Sequence, residues 1–312
     1  MHHDSSEIDY SGNRILLNLM IKFHRNIIIS MRPKQWVKNS FVFAALVFSQ
    51  NLFNVDNLLI TTWGFLLFCA LSGTVYIIND IFDIEKDRLH PAKARRPIAS
   101  GALSIRAAIF WSLLVASLSL LISFLLSIKF GTVALIYWVL NLLYSVILKK
   151  IVIIDVMSIA FGFLLRAIAG AVIIDVQISS WLILCTILIA LFLGFCKRRQ
   201  ELSIYKEEAA SHREILVEYS QTFIDQMIAV VTASTLIAYS FYTMSPEVME
   251  KLGTTHLNFT IPFVLYGIFR YLYLVLHKGV GDNPTRLVLE DKPLLLNILL
   301  WGIVVVIILY LI

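Results

Sequence analysis

Residues 58–87 read LLITTWGFLLFCALSGTVYIINDIFDIEKD, an uncharged apolar stretch that runs directly into an acidic one. Residues 58–78 contain no Asp, Glu, Lys or Arg. A helix of about 20 such residues is long enough to cross the roughly 30 Å hydrocarbon layer of a bilayer. The stretch therefore predicts a transmembrane helix that ends in a cluster of acidic residues.

Apolar runs of this kind recur along the whole chain. The predicted spans are residues 40–55, 58–78, 104–127, 130–148, 152–174, 178–196, 222–244, 258–277 and 293–312. Only 15% of the 312 residues are charged and the mean hydropathy is +0.81, whereas about 25% charged residues is usual in soluble domains. The sequence therefore predicts an all-α polytopic membrane protein with about nine transmembrane helices, in which residues 31–312 form one transmembrane domain.

Residues 1–30 have a different pattern. Residues 14–29 alternate basic and apolar positions at near-helical spacing, which is typical of a helix lying in the membrane interface. The segment lacks the order of positive start, apolar stretch and small-residue cleavage site that a signal peptide needs. We expect a cytoplasmic or interfacial N-terminal segment, and the alternative is a partly ordered tail.

The basic residues are distributed unequally between the two sides of the predicted spans. Of the 26 lysines and arginines, 21 fall on one side, two (Lys129 and Lys251) fall on the other, and three lie within spans. By the positive-inside rule, the N-terminus is then cytoplasmic and the C-terminus lies outside. The long connections are on the cytoplasmic side, so we expect an active site at the cytoplasmic face of the inner membrane. The net charge of +5 follows from this rule and implies no nucleic-acid partner.

The acidic segment has a regular spacing. Asn79, Asp83 and Asp87 recur at every fourth residue, and Asp80 follows the first of them. In a continuous helix this spacing places Asn79, Asp83 and Asp87 on one face. Carboxylates at a membrane interface repel one another and need a cation, and oxygen ligands without His or Cys favour Mg²⁺. The pattern predicts a Mg²⁺ site, and the alternative is a solvated acidic helix end balanced by adjacent basic residues.

Basic residues follow the acidic segment within about ten positions, namely Lys93, Arg95 and Arg96. They offer hydrogen-bond donors for phosphate oxygens beside the metal ligands. A metal together with such donors is typical of a diphosphate site.

Two later spans also carry polar residues. Asn141, Ser145 and Lys149 follow one another at steps of four, with Tyr144 beside them, and Arg166 lies in the middle of the fifth span. A charge at that depth is costly and favours a functional role, although a structural ion pair is the alternative. Tyr and Lys at the end of a span are also common as interfacial anchors, so both interpretations stay open for Tyr144 and Lys149.

Several motifs resemble a known family. NDxxDxxxD at residues 79–87, followed by ARRPIASG at residues 94–101, resembles the UbiA superfamily of intramembrane prenyltransferases. The resemblance implies nine transmembrane helices around a central cavity that opens to the cytoplasm and laterally to lipid. RPKQWVKN at residues 32–39 and YSVILKK at residues 144–150 resemble one branch, the decaprenyl-phosphate phosphoribosyltransferases.

The sequence departs from the wider superfamily after the sixth span. Typical members carry a second Asp-rich motif there, whereas this chain has KRRQELSIYKEEAASHRE from Lys197. Lys197 and Arg198 favour an anionic group that is held directly rather than through a second metal ion. This difference fits substrates with more separate phosphate groups.

The resemblance implies transfer of 5-phosphoribose from phosphoribosyl diphosphate to a polyprenyl phosphate, with release of diphosphate. The implied catalytic group is Asn79, Asp80, Asp83 and Asp87, of which Asn79, Asp83 and Asp87 would hold Mg²⁺. The residues expected to contact substrates are Lys34, Gln35, Lys38, Asn39, Lys93, Arg95, Arg96, Asn141, Tyr144, Lys149, Arg166, Lys197 and Arg198.

The implied partners are the two substrates and the bilayer, with no nucleic acid, and the sequence leaves the oligomeric state open.

Two other functions compete with this one. A transporter is the first alternative, but no pair of Gly/Pro-broken spans in the two halves supports it. The second is a UbiA-type prenyltransferase that uses a prenyl diphosphate donor and an aromatic or other small acceptor.

Overall fold

The computed structural model describes residues 9–91, 93–204, 214–279 and 284–312. Every regular element in these residues is helical. The α-helices are α1 (Asp9–Ser30), α2 (Ala44–Phe48), α3 (Val55–Phe82), α4 (Ile84–Leu89), α5 (Ile105–Leu126), α6 (Ile128–Val146), α7 (Ile154–Ile173), α8 (Ser180–Ile204), α9 (Gln221–Met244), α10 (Pro246–Leu252), α11 (Ile261–Leu276), α12 (Pro284–Glu290) and α13 (Lys292–Tyr310). The 3₁₀ helices are Pro33–Phe43, Lys93–Arg95, Leu148–Lys150, Glu214–Glu218 and His256–Thr260. Residues 1–8 of the predicted N-terminal segment lie outside the described residues.

Eight helical segments in the described ranges are long and apolar enough to cross a membrane. They are α3, α5, α6, α7, α8, α9, α13 and the segment His256–Leu276 that contains α11. Each overlaps one of the predicted spans, so the all-α polytopic fold is confirmed and the chain is a multi-pass membrane protein. Their outer faces carry large exposed apolar side chains such as Trp63, Phe110 and Leu121, as expected of a surface in contact with lipid.

The prediction of an α-helical span at residues 40–55 is wrong. The chain there forms the 3₁₀ helix Pro33–Phe43 and then α2, which ends at Phe48. The apolar run at residues 41–48 is too short to cross the bilayer as an α-helix, which needs about 20 residues. Gln50 then adopts a left-handed conformation with φ of 56° and turns the chain toward α3.

The same segment nevertheless carries the chain from one end of the bundle to the other. Arg32, just before it, contacts Asp80 near the end of α3. Gln50, just after it, donates to the carbonyl oxygens of Leu252 and Leu309 at the opposite end, at 2.8 and 3.1 Å. The 3₁₀ helix rises about 2.0 Å per residue and an α-helix about 1.5 Å, so together they span roughly 30 Å. The segment is therefore a ninth crossing, extended by its 3₁₀ geometry.

Serine residues define the starts of several long helices. Ser104, Ser127 and Ser220 have extended backbones, and their side chains accept hydrogen bonds from the backbone amides three residues later. Such N-caps satisfy amide groups that lack a partner within the helix. The sequence therefore sets where α5, α6 and α9 begin.

Helices α3 and α7 lie at the centre of the bundle. Their most apolar stretches are 56% and 61% buried, whereas those of α5 and α13 are both 22% buried. The 3₁₀ helix Pro33–Phe43 packs against both α3 and α7. The polar residues that these three elements carry are consequently brought together inside the bundle.

Candidate active site

The acidic segment is kinked at Asp83. α3 ends at Phe82, Asp83 is the cap between the two helices, and α4 begins at Ile84. Asn79 and Asp83 remain neighbours, and the Asn79 amide donates to Asp83 Oδ2 at 3.0 Å. The backbone amides of Asp83 and Asp87 still donate to the carbonyl oxygens four residues earlier, at 3.0 and 2.8 Å, so the helical turn continues through the break. Asp87 pairs with Arg96 rather than with Asn79 or Asp83. That Asn79, Asp83 and Asp87 share one face stays a prediction.

Asp80 and Asp87 form the second pair of the segment. Both side chains are buried, and Arg96 Nη1 lies 3.0 Å from Asp80 Oδ1 and 2.5 Å from Asp87 Oδ2. Arg32 also pairs with Asp80, and its guanidinium lies 4.9 Å from the centre of the Tyr76 ring. Arg32 has a left-handed backbone with φ of 53°, a conformation that a non-glycine residue seldom adopts. The predicted basic residue Arg96 is thus brought directly to the acidic segment.

Lys149 binds the first acidic pair from the 3₁₀ helix Leu148–Lys150. Its Nζ lies 2.8 Å from Asp83 Oδ1 and 3.5 Å from Asn79 Oδ1. Asn141, one step further along the predicted polar stripe, donates to the carbonyl oxygen of Tyr137 within its own helix at 2.7 Å. Ser145 is buried and Asn141 and Lys149 are half-buried, so the stripe faces the bundle interior, as the sequence predicts. Of its members, Lys149 is the one with a described contact to the carboxylates.

Arg166 is buried at mid-span in α7. Its Nε donates to Asn39 Oδ1 at 2.7 Å, its Nη1 to the carbonyl oxygen of Gly162 at 2.8 Å and its Nη2 to Tyr137 Oη at 2.7 Å. The guanidinium also faces the rings of Tyr137 and Phe163, with centroid distances of 4.7 and 5.2 Å. Among the described residues no carboxylate lies within ion-pair distance of it. The alternative of a structural ion pair is therefore not what holds Arg166.

Lys38 lies on the same 3₁₀ helix as Asn39. Its charge is within range of the charges of Arg166 and Arg32, and that of Arg166 has the larger effect of the two. Its side chain is half-buried, and across the described part of the chain it has no hydrogen bond or ion pair.

Arg198 and Asp155 are fully buried and form the centre of a polar network. Its Nε lies 2.6 Å from Asp155 Oδ2 and its Nη1 2.5 Å from Glu201 Oε2, and its Nη2 lies 3.3 Å from Tyr144 Oη. Asp155 in turn accepts a hydrogen bond from Tyr219 Oη at 2.7 Å. All three guanidinium nitrogens are therefore engaged by protein groups. Two carboxylates already neutralise the charge of Arg198 and its side chain is 0% exposed, so its role as a contact for a substrate phosphate stays a prediction.

Lys197 and Lys93 lie between this network and the acidic segment. Lys197 Nζ is 3.6 Å from Glu201 Oε1 and 35% of its side chain is exposed. Burial lowers the pKa of Lys93, and the nearby positive charge of Arg96 lowers it further. Lys93 also interacts with the charges of Asp87 and Lys197, which places it beside both groups.

Three predicted substrate-binding residues are not brought to this cluster. Lys34 and Arg95 are exposed, and Gln35 is half-buried. Where the structure describes the chain, no hydrogen bond or ion pair joins these three side chains to the residues above. They remain predictions only.

Sequence reasoning missed three residues of the cluster. Arg32 lies within the RPKQWVKN motif, and Glu201 follows Arg198 by three residues. Tyr137 precedes Asn141 by four positions, so extending the polar stripe one turn further along α6 would have found it.

The site has an excess of positive charge. Among the described residues, its carboxylates are five, namely Asp80, Asp83, Asp87, Asp155 and Glu201, and its cations are eight, namely Arg32, Lys38, Lys93, Arg96, Lys149, Arg166, Lys197 and Arg198. The surplus is therefore three positive charges. A partly buried surplus of this kind attracts anions strongly, because the dielectric is low there.

The carboxylates also suit a hard divalent cation. In the described residues no three acidic, histidine or cysteine side chains are grouped closely enough to hold a metal ion. The segment instead offers the pairs Asn79 with Asp83 and Asp80 with Asp87. Mg²⁺ is usually bound by one or two carboxylates together with water and substrate phosphate oxygens, so the donor chemistry of either pair fits this ion.

Comparisons with known proteins agree on one family. Residues 39–287 match the UbiA prenyltransferase family. A protein of Corynebacterium glutamicum named decaprenyl-phosphate phosphoribosyltransferase is 30% identical, over 91% of this chain and 86% of its own length. A protein of the same name from Mycolicibacterium smegmatis is 30% identical, over 88% of this chain and 89% of its own length.

Solved structures show the same fold. A UbiA homologue from Archaeoglobus fulgidus, bound to GPP and Mg²⁺, superimposes with a TM-score of 0.69 over 91% of this chain and 96% of its own. Its sequence is 18% identical. At that identity the likeness concerns the fold alone.

Proposed function

The chain belongs to the UbiA prenyltransferase family, and from this premise we propose that it transfers 5-phosphoribose from phosphoribosyl diphosphate to a polyprenyl phosphate. The observation that carries the proposal is the surplus of positive charge in the site, which includes the cations Lys38 and Arg166. Two substrates with three separate phosphate-bearing groups need more cations than one prenyl diphosphate does. The names of the relatives that are 30% identical support the same reaction.

The acidic segment would receive the diphosphate group of the donor. Asn79, Asp83 and Asp87 are the residues that would hold Mg²⁺, with Asp80 beside them. When bound there, the ion neutralises charge that develops on the departing diphosphate. The chain itself contributes Arg96 and Lys149, whose positions are fixed by their carboxylate partners before any substrate arrives. Donors that are already oriented stabilise developing charge without a cost of rearrangement.

The chemical step replaces one C1–oxygen bond of the ribose by another. An oxygen of the polyprenyl phosphate forms the new bond, and the bond to the diphosphate breaks, so diphosphate departs with the electron pair. A phosphate monoester with a second pKa of about 6 is mostly dianionic at pH 7. The acceptor therefore needs no general base, and the site requires no catalytic histidine.

The remaining parts of the proposal concern location. We place the chain in the inner membrane with the acidic segment toward the cytoplasm, where a soluble sugar phosphate is available. The N-terminus is then cytoplasmic and the C-terminus outside. The polyprenyl tail enters from the bilayer between the spans.

A product assay tests the function. The purified protein in detergent receives labelled phosphoribosyl diphosphate, polyprenyl phosphate and Mg²⁺, and we expect a labelled lipid and free diphosphate. Omission of the polyprenyl phosphate is the control and should abolish the labelled lipid.

The same preparation is offered a prenyl diphosphate with an aromatic acceptor. The acidic segment alone is equally suited to that donor, so this is the second candidate function. Prenylation of the acceptor without any ribosyl transfer would overturn the proposal.

A further inference from the structure

Lys38 and Arg166 differ from the cations of the site that pair with a carboxylate. Lys93, which has no ion pair in the described residues either, lies close to the charges of Asp87 and Glu201. Arg32, Arg96, Lys149 and Arg198 each pair with a carboxylate. Within the described residues, Lys38 and Arg166 have no such partner. An uncompensated charge inside a membrane protein is costly, so it is retained where a ligand supplies the opposite charge.

Arg166 is held in place before any ligand binds. Asn39, Gly162 and Tyr137 each accept one hydrogen bond from it, and all three acceptors are neutral. A guanidinium has five N–H donors, so two remain for a ligand. The rings of Tyr137 and Phe163 lie close to the guanidinium and restrict its movement.

Lys38 completes a pair of like charges. It lies near enough to Arg166 for the two charges to repel each other. The backbone supports this placement, because Asn39, the next residue, is itself bonded to Arg166. A single dianion between the two would offset both charges and remove the repulsion.

The pair lies deeper in the bundle than the acidic segment. Arg166 is twelve residues after the start of α7 at Ile154, a distance of about 18 Å at 1.5 Å per residue. Lys38 is six residues beyond Arg32 along the 3₁₀ helix, or about 12 Å. Asp80 and Asp83, by contrast, are at the end of α3.

We propose that Lys38 and Arg166 form a second anion site, which binds a dianionic phosphate monoester without a metal ion. The inference rests on the proposed function, because it divides the substrate phosphates between two places. The diphosphate belongs to the acidic segment, and a phosphate monoester belongs to the deeper pair. Two substrates carry such a group, namely the sugar donor at its 5-position and the polyprenyl phosphate.

Binding without metal tests the proposal. The full chain in detergent, with EDTA present, is titrated with ribose 5-phosphate in one arm and farnesyl phosphate in the other, by calorimetry or thermophoresis. We expect saturable binding in one arm, which identifies the source of the phosphate. Lys38→Gln should weaken it by about 10- to 100-fold, since a hydrogen bond to a charged group is lost.

Controls separate binding from folding. Lys251→Gln removes a cation at the opposite end of the bundle and should leave the affinity unchanged. Arg166→Lys keeps the charge but loses the planar fork, so it should weaken binding while size-exclusion profiles stay those of the wild type. Lys38 has no described partner, so its substitution keeps the test valid even if Arg166 variants fail to fold.

The outcomes distinguish this inference from the proposed function. Binding in neither arm, or equal affinity of Lys38→Gln and the wild type, would overturn the second site even where ribosyl transfer is observed. Loss of metal-independent binding in Lys38→Gln would support the site even if the enzyme transferred a prenyl group instead.

Discussion

Asp83 has a different environment from Asp80 and Asp87, although all three belong to one short acidic segment. Asp83 faces Lys149 and Asn79, whereas the other two share Arg96. Spacing of four predicts one common face only for an unbroken helix. The partners Arg96 and Lys149 come from other segments of the chain, so the local pattern could predict the residues of the site but not how they are paired.

Removing one carboxylate tests the proposed metal site at the level of the residue. Asp83→Asn or Asp87→Asn should lower kcat by about 100-fold or more, because each removes a carboxylate that would hold the Mg²⁺ that neutralises charge on the departing diphosphate. Chelation of Mg²⁺ should do the same to the wild type. The measurement is steady-state ribosyl transfer at saturating substrate, together with a thermal melt in detergent.

Glu85→Gln is the matched control, because Glu85 lies in the same segment but is exposed and, among the described residues, pairs with Arg88 alone, at 3.0 Å. Its activity should equal that of the wild type. Substantial turnover of Asp83→Asn in the presence of chelator would refute the metal assignment.

Adjacent residues of α8 have different roles. The sequence gives no reason to separate Lys197 from Arg198, since both are basic and both follow the predicted sixth span. In the structure α8 continues to Ile204, so Arg198 is still inside the helix and points to Asp155. Lys197 lies in the same helix, but adjacent residues of an α-helix point in directions about 100° apart, so only Arg198 faces Asp155. Hydropathy does not predict which of the two faces inward.

Arg198→Ala should destabilise the fold by about 3–5 kcal/mol, because it leaves Asp155 buried without its partner. Lys197→Ala should leave the free energy of unfolding within about 1 kcal/mol of wild type, since its ion pair is partly exposed. Lys197→Ala should instead raise the KM for a phosphate-bearing substrate. The measurements are denaturant unfolding in detergent and steady-state kinetics. Equal stability of the two variants would contradict the buried network.

The crossing formed by the Pro33–Phe43 helix depends on one glycine of α7. A Cβ built on Gly170 would lie 1.8 Å from the carbonyl oxygen of Val42. Such a contact is possible only for glycine. Gly170 therefore indicates a closely packed neighbour, but the sequence does not say that this neighbour is the 3₁₀ helix. Hydropathy alone predicts an ordinary apolar helix at residues 40–55.

Gly170→Ala should therefore destabilise the protein by about 2 kcal/mol or more, since backbone must move to admit the methyl group. Gly302→Ala is the control, because a Cβ there meets no atom within 4 Å. Thermal unfolding in detergent compares the two. A Gly170→Ala variant as stable as the Gly302→Ala variant would show that the 3₁₀ helix does not pack this closely.

The whole molecule has two chemically different ends. The cluster around Asp80, Asp83 and Lys149 lies at one end, while Lys129 pairs with Asp175 at 2.8 Å and Lys251 lies near Gln50 at the other. The unequal distribution of lysine and arginine along the sequence agrees with this difference between the two ends. The number of crossings is harder to predict, because the ninth is not an apolar α-helix.

Whether the chain crosses the membrane an even or an odd number of times decides if its two termini lie on the same side. Eight long helices alone would leave both termini on one side, whereas the additional crossing from Arg32 to Gln50 places them on opposite sides. Single cysteines at Lys22, Arg95 and Lys251, in a background with Cys69, Cys185 and Cys196 replaced, report this with a membrane-impermeant maleimide. We expect labelling of position 251 in intact cells and of positions 22 and 95 only after permeabilisation. Labelling at positions 95 and 251 identifies the two faces of the membrane. Position 22 then shows whether the 3₁₀ segment crosses. Labelling at position 22 from outside would mean that it does not.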